Sequence, residues 1–309
     1  MKSLTIGTRG SPLALWQAHW VERQLQARGI GTRIEIIKTT GDKITDVALA
    51  KVGASAGLKG VFTKEIEEAL LGGRIDLAVH SLKDLPADLD ERLALGAIPE
   101  RADPRDALVG RILAELPPGA RVGTSSLRRA AQLRHLRPDL HVENIRGNID
   151  TRLRKLEEGL YDAILLASAG LHRMGWQDRI AETLDPQVMA PAIGQGALGI
   201  EIRAGDDATR EILGPLNHPE TATTTYAERA LLRALGGGCQ VPLGAYARLD
   251  NGRLRLGAVV VSPDGGTLVR AAVEGSPGDP AGLGQQAAEE LRSQGAEDIL
   301  RSVLGGSKS

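Results

Sequence analysis

Arg121-Val122-Gly123-Thr124-Ser125-Ser126-Leu127-Arg128-Arg129 holds three local signals in one short stretch. Arg121–Gly123 reads as a strand and Thr124-Ser125-Ser126 as a hydroxyl-rich helix start. Leu127–Leu136 then continues at helical spacing. The rhythm carries on downstream with a strand at His141–Ile145, a helix at Ile149–Glu158 and a strand at Ala163–Ala167. Upstream it runs the same way. Leu4–Gly7 is a strand, and Ser11 caps a helix that has Pro12 at its first position and Leu13, Trp16, Trp20 and Leu25 on one face. Arg33–Lys38 is a second strand, Phe62–Leu71 a helix closed by Gly72-Gly73, and Ile75–Val79 a third strand. Strands alternating with helices predict parallel sheets with crossover helices, and two such sets predict two α/β domains.

Beyond about residue 218 the pattern changes. Val241–Leu249, Leu254–Val261 and Leu268–Val273 are β-like runs, with Asp250-Asn251-Gly252 and Asp264-Gly265-Gly266 between them as hairpin turns. A helical tail over Gly282–Leu304 completes a small α+β domain with an antiparallel sheet. Pro99–Pro104 and Ser276–Pro280 are the linker-like stretches.

Composition narrows the function. The chain has 309 residues, 42% hydrophobic and 25% charged, which is the balance of a folded multidomain protein. Its formal charge of −1 argues against nucleic-acid binding. One cysteine excludes a disulfide framework and a Cys-cluster zinc site. The sequence shows no secretory signal or membrane-length apolar run, so the expectation is a cytoplasmic protein with no membrane partner. Among the 38 basic residues only nine are lysines, leaving 29 arginines. Guanidinium forks suit carboxylates and phosphates, although a codon bias toward arginine would give the same count.

Three polar clusters follow predicted strands, where open α/β sheets bind ligands. They are His80-Ser81-Leu82-Lys83-Asp84, Thr124-Ser125-Ser126-Leu127-Arg128-Arg129 and Arg146-Gly147-Asn148. The second reads as an anion cradle at a helix start, or as an ordinary serine cap with solvated arginines. Asp84 reads as a carboxylate for a cationic intermediate, or as a surface ion pair. His80 reads as structural. Cys239, preceded by Gly236-Gly237-Gly238, reads as a nucleophile, an attachment point or an inert thiol. The stretch from Lys51 to Gly60 reads as a flap or a solvated loop.

Together these segments resemble the porphobilinogen deaminase family. The matching stretches are Thr8–Ala14, His80–Pro86, Val122–Arg129, Arg146-Gly147-Asn148, Ala169-Gly170-Leu171, Gly194-Gln195-Gly196-Ala197 and Gly236–Pro242, in the family's order. The resemblance implies a transferase of tetrapyrrole biosynthesis. Such an enzyme condenses four porphobilinogen molecules onto a dipyrromethane cofactor, held as a thioether on Cys239, and releases 1-hydroxymethylbilane. It implies that Asp84 is catalytic. Ser81, Lys83, Asp84, Thr124, Ser125, Ser126, Arg128, Arg129, Arg146 and Gly147 would hold the cofactor. Arg9, Ser11, Arg146, Arg152, Arg173, Phe62, Lys51 and Lys59 would meet substrate. The family usually spaces its loop lysines closely, whereas Ala54–Leu58 lengthens the interval before Lys59 here.

The implied fold is two hinged α/β domains like a type II periplasmic binding protein plus a small C-terminal α+β domain, in a monomer. Domain 1 would span 1–98 plus 195–216, domain 2 99–194 and domain 3 217–309. A chain that returns to its first domain places antiparallel strands in sheets that periodicity alone makes parallel. Two other functions compete: a non-enzymatic anion-binding module of the periplasmic type, and an acyl- or amidotransferase using Cys239 as nucleophile.

Overall fold

The computed structural model describes residues 3–40, 63–236 and 241–305. Cys239, Phe62, Lys51 and Lys59 therefore lie outside the described residues. Packing divides the chain into two compact units, Met1–Arg101 with Ala197–Ala222, and Ala102–Gly196 with Thr223–Ser309.

The chain begins with β1 (Ser3–Thr8), α1 (Pro12–Gln26), β2 (Gly31–Ile36), α2 (Lys64–Leu71), β3 (Leu77–Ser81) and β4 (Leu93–Ala97). The second unit opens with β5 (Asp106–Val109), β6 (Arg121–Gly123), α3 (Leu127–Leu136) and β7 (His141–Glu143). It continues through α4 (Ile149–Glu157), β8 (Ala163–Ala167), α5 (Ser168–Arg173) and β9 (Ile180–Thr183). The chain then returns to the first unit with β10 (Leu198–Arg203) and α6 (Asp207–Leu213). After these come α7 (Pro219–Ala234), the strands β11 (Leu243–Asp250), β12 (Arg253–Val261) and β13 (Leu268–Gly275), and the helices α8 (Pro280–Ser293) and α9 (Ala296–Gly305).

The first sheet has the order β2-β1-β3-β10-β4, and the second β7-β6-β8-β5-β9. The two share one plan: a parallel trio, then a strand antiparallel to it, then an edge strand. β10 and β5 are the antiparallel members, so the wholly parallel reading is corrected. Each is the first strand after the chain passes from one unit to the other. The architecture is mixed α/β, two five-stranded sheets with crossover helices, followed by a small C-terminal α+β part.

Aliphatic side chains fill the layers, as seven aromatic residues in the whole chain require. Leu4, Ile6, Val21, Leu25, Leu77 and Ile200 are fully or nearly fully buried in the first unit, and Leu108, Val122, Leu133 and Leu165 in the second. Both hairpin turns of the third sheet lie where their Asp-Asn-Gly and Asp-Gly-Gly stretches place them. Asn251 (φ 49°) and Gly252 (φ 75°) are left-handed, as the two-residue connection between Asp250 and Arg253 requires. Glu228 of α7, fully buried, accepts the N–H of Gly194 (2.7 Å) and of Ala247 on β11 (2.9 Å). It ties the Gly194-Gln195-Gly196 loop to the third sheet.

Candidate active site

In the first unit the local structure displays a few groups and anchors the rest. β3 extends to Ser81, beyond the predicted end at Val79. Leu82–Asp84 then forms one 3-10 turn. Leu82 and Leu85 are buried, the Leu82 N–H donates to Ala197 O (3.0 Å), and the Leu85 N–H donates back to Leu82 O (3.2 Å). With both leucines pinned, Lys83 is left half-buried and Asp84 exposed. Among the described residues the Asp84 carboxylate takes no hydrogen bond or ion pair. Ser81 Oγ accepts from the Gln17 amide (2.9 Å), and Gln17 is itself buried on α1. His80 faces inward, where its Nε2 lies 3.2 Å from Glu201 Oε2 on β10. Its role is structural. Ser11 Oγ caps α1 by accepting the Ala14 N–H (3.3 Å), and Arg9 sits half-buried at the end of β1.

In the second unit Thr124 is buried at the end of β6. Its Oγ1 accepts the Ser126 N–H (3.2 Å), Ser126 Oγ caps α3 through the Arg129 N–H (3.4 Å), and Ser125 is exposed. The following arginines do not present open forks. Arg128 and Arg129 are both buried, and both turn onto Asp106 at the start of β5. Burial raises the Asp106 pKa, but the two guanidiniums outweigh it and hold the carboxyl well below the ordinary range.

Gly147 has φ 112°, and a Cβ there would stand 2.6 Å from Thr151 Cγ2, so this loop admits no side chain at that position. Arg152 Nε donates to Gly147 O (2.8 Å) and Lys155 Nζ to Arg146 O (3.2 Å), so α4 braces the loop from behind. Arg146 is half-buried. The terminal nitrogens of Arg152 have no partner among the described residues. Burial, with the charge of Arg129 added, pulls its guanidinium down to about 10. Burial does the same to Arg173, also to about 10, although Arg173 Nη2 donates to Gly196 O (2.6 Å). A cation held in a desolvated place gains most from an incoming carboxylate, so this donor set suits an anionic ligand. The buried, unpartnered Nε of Arg128 points the same way.

The sequence reading missed Asp106 and the role of Gln195. In the sequence Gln195 stands out only as part of the Gly194-Gln195-Gly196 motif. The available signal was an acidic residue heading the aliphatic run Ala107-Leu108-Val109.

Two family descriptions match this chain. Residues 4–211 match porphobilinogen deaminase, dipyromethane cofactor binding domain, and residues 222–293 match porphobilinogen deaminase, C-terminal domain. The chain belongs to the porphobilinogen deaminase family. A porphobilinogen deaminase of Syntrophobacter fumaroxidans is 55% identical over 305 residues, covering 97% of each chain. That of Gloeobacter violaceus is 54% identical over 314 residues, covering 98% of this chain and 94% of the other. Among solved structures, a periplasmic substrate-binding protein of an ABC transporter from Coxiella burnetii is similar with a TM-score of 0.44 and 14% identity. It is covered over 71% of this chain and 94% of that one. Membership of the porphobilinogen deaminase family makes this a tetrapyrrole-forming transferase whose first matched domain binds a dipyrromethane cofactor. Among the described residues no helix is long and apolar enough to cross a membrane, and no cluster of metal-ligating side chains occurs.

Proposed function

We propose that this chain is a hydroxymethylbilane synthase. It joins four porphobilinogen molecules head to tail on a dipyrromethane primer carried by Cys239, then releases 1-hydroxymethylbilane by hydrolysis. The observation that carries the reading is the pair of family domains, within whose spans every named site residue falls.

Each joining forms a carbon–carbon bond between the aminomethyl carbon of one porphobilinogen and the free α-carbon of a terminal pyrrole. The carbon–nitrogen bond breaks, the amine leaves as ammonia, and the α-carbon gives up its proton. Positive charge develops on pyrrole nitrogen along the way. Asp84 holds that charge and handles the proton, a role worth about 10²–10⁴-fold in rate. Each porphobilinogen brings an acetate and a propionate, so the ligand's carboxylates accumulate as the chain grows. Arg9, Arg146, Arg152 and Arg173 meet them as guanidinium forks, and Arg128 and Arg129 through the N–H bonds that Asp106 leaves. Ser11, Ser81, Lys83, Thr124, Ser125 and Ser126 add donors, and the Gly147 backbone approaches closely. Lys51, Lys59 and Phe62 belong to the substrate side, Phe62 by stacking on a pyrrole. When bound, the dipyrromethane supplies the pyrrole end on which the first joining occurs.

By the same family likeness the protein is a monomer of the cytoplasm. Its three domains span 1–98 plus 195–216, 99–194 and 217–309. Intact-mass spectrometry tests the central claim. Wild-type protein carries a two-pyrrole adduct, and Cys239→Ser lacks it. A bare wild-type chain, or an adduct of normal mass on the variant, would defeat the reading.

A further inference from the structure

Asp106 touches no reacting atom in the reaction just described, yet its carboxylate accepts five hydrogen bonds from three side chains. Its Oδ1 accepts from Arg129 Nε (2.9 Å), Arg129 Nη2 (2.8 Å), Arg128 Nη2 (3.2 Å) and Gln195 Nε2 (2.8 Å), and its Oδ2 accepts from Arg128 Nη1 (2.6 Å). The carboxylate is fully buried, so its ionised form depends on these partners.

Neighbouring residues of a helix point about 100° apart. Arg128 and Arg129 are neighbours in the first turn of α3, and left alone they would face different surroundings. Asp106 brings both guanidiniums to one point. Carbonyl oxygens fix their outer edges: Arg128 Nη1 donates to Ala190 O (2.6 Å) and Arg129 Nη1 to Leu165 O (3.0 Å). Gln195 completes the set, its Oε1 accepting from Arg129 Nη2 (3.4 Å). Five N–H bonds per guanidinium then leave Arg128 its Nε and one Nη2 proton, and Arg129 one Nη1 proton. Two cations against one carboxylate leave one unit of positive charge, directly behind the serine cap of α3.

We propose that Asp106 is a positioning residue for the anionic ligand. It locks Arg128 and Arg129 so that their remaining donors, and a single net positive charge, face a pyrrole carboxylate. This deepens the proposed function and rests on it. Without Asp106 the two long side chains regain their rotamers and carry two uncompensated charges, and the ligand meets a less ordered set of donors.

Asp106→Glu keeps the charge and moves the carboxylate by one methylene; Asp106→Asn keeps the shape and removes the charge. Three quantities are read: the share of protein carrying the two-pyrrole adduct by intact mass, the melting temperature, and KM and kcat of the adduct-bearing fraction. Asp106→Glu is expected to melt within a few degrees of wild type, to carry the adduct on a minority of molecules, and to raise KM ~10-fold while kcat changes less. Asp106→Asn is expected to lose more adduct and to melt lower. An Asp106→Glu protein with full adduct and unchanged KM overturns the positioning role. So does failure of both variants to fold, which reduces Asp106 to a requirement of the fold. A bare wild-type protein would instead sink the proposed function itself, and this inference with it.

Discussion

Asp84 is exposed because its neighbours Leu82 and Leu85 are not. The 3-10 turn spends its apolar positions on the interior and so aims the carboxylate outward, without a partner among the described residues. Such a residue contributes little to stability, and its removal should separate chemistry from folding. Asp84→Ala is expected to unfold within about 0.5 kcal/mol of wild type and to keep the dipyrrole adduct. Its kcat for ammonia release should fall about 10²–10⁴-fold. Turnover near wild type, or a large drop in stability, would contradict the role given to this side chain. Arg152 differs in kind: it gives one N–H to the loop carbonyl of Gly147 and keeps its terminal nitrogens for something else.

At the scale of elements, α3 does two jobs at its two ends. Its first turn carries the arginines that Asp106 holds, and its last turn receives the β12–β13 hairpin. Arg134 Nη1 donates to Pro263 O (2.7 Å), and His135 Nδ1 lies 2.8 Å from Gly265 O. Gly265 has φ 82°, and a Cβ on it would stand 2.7 Å from both Arg134 Cβ and His135 N. Gly252, in the other hairpin, has φ 75° with open space around it. Gly252→Ala is expected to cost about 1 kcal/mol for its backbone conformation alone. Gly265→Ala adds a collision with helix backbone and is expected to cost about 2–3 kcal/mol. Urea unfolding of the two variants checks the difference, and equal losses would mean that the hairpin does not depend on this docking. The Asp-Gly-Gly stretch identified the turn; what it packs against is 130 residues away and left no local trace.

For the molecule as a whole, Asp106 is the fully buried member of the second unit's carboxylates whose shifted pKa couples folding to pH. Burial disfavours its ionised form, yet Arg128 and Arg129 win, and the folded pKa lies below the unfolded value of about 3.9. The unfolded chain therefore binds this proton more readily. The stabilisation is complete above about pH 4–5 and is lost as pH falls through the folded pKa. Asp106→Asn leaves two buried guanidiniums short of a counter-ion and is expected to cost about 3–5 kcal/mol at pH 7. The gap between variant and wild type should narrow as pH drops below about 4, where wild type loses what the variant never had. Chemical unfolding at steps between pH 7 and pH 3 measures that gap, and a constant gap would contradict the linkage.

The sequence by itself determined everything that depends on near neighbours. Alternating aliphatic runs and helical faces settled the α/β class, Asp-Asn-Gly at 250–252 settled a hairpin, and Ser11-Pro12 settled a helix start, because each is decided within one turn of chain. The family motifs added the candidate residues. The family likeness implied antiparallel strands, and tertiary structure decided that they are β5 and β10, since periodicity along a strand carries no polarity. It also decided that Ser81 lies on β3 rather than after it, and that Arg128 and Arg129 face a carboxylate 22 and 23 residues earlier in the chain. An arginine's partner is chosen by packing across the sheet, which no spacing along the chain encodes.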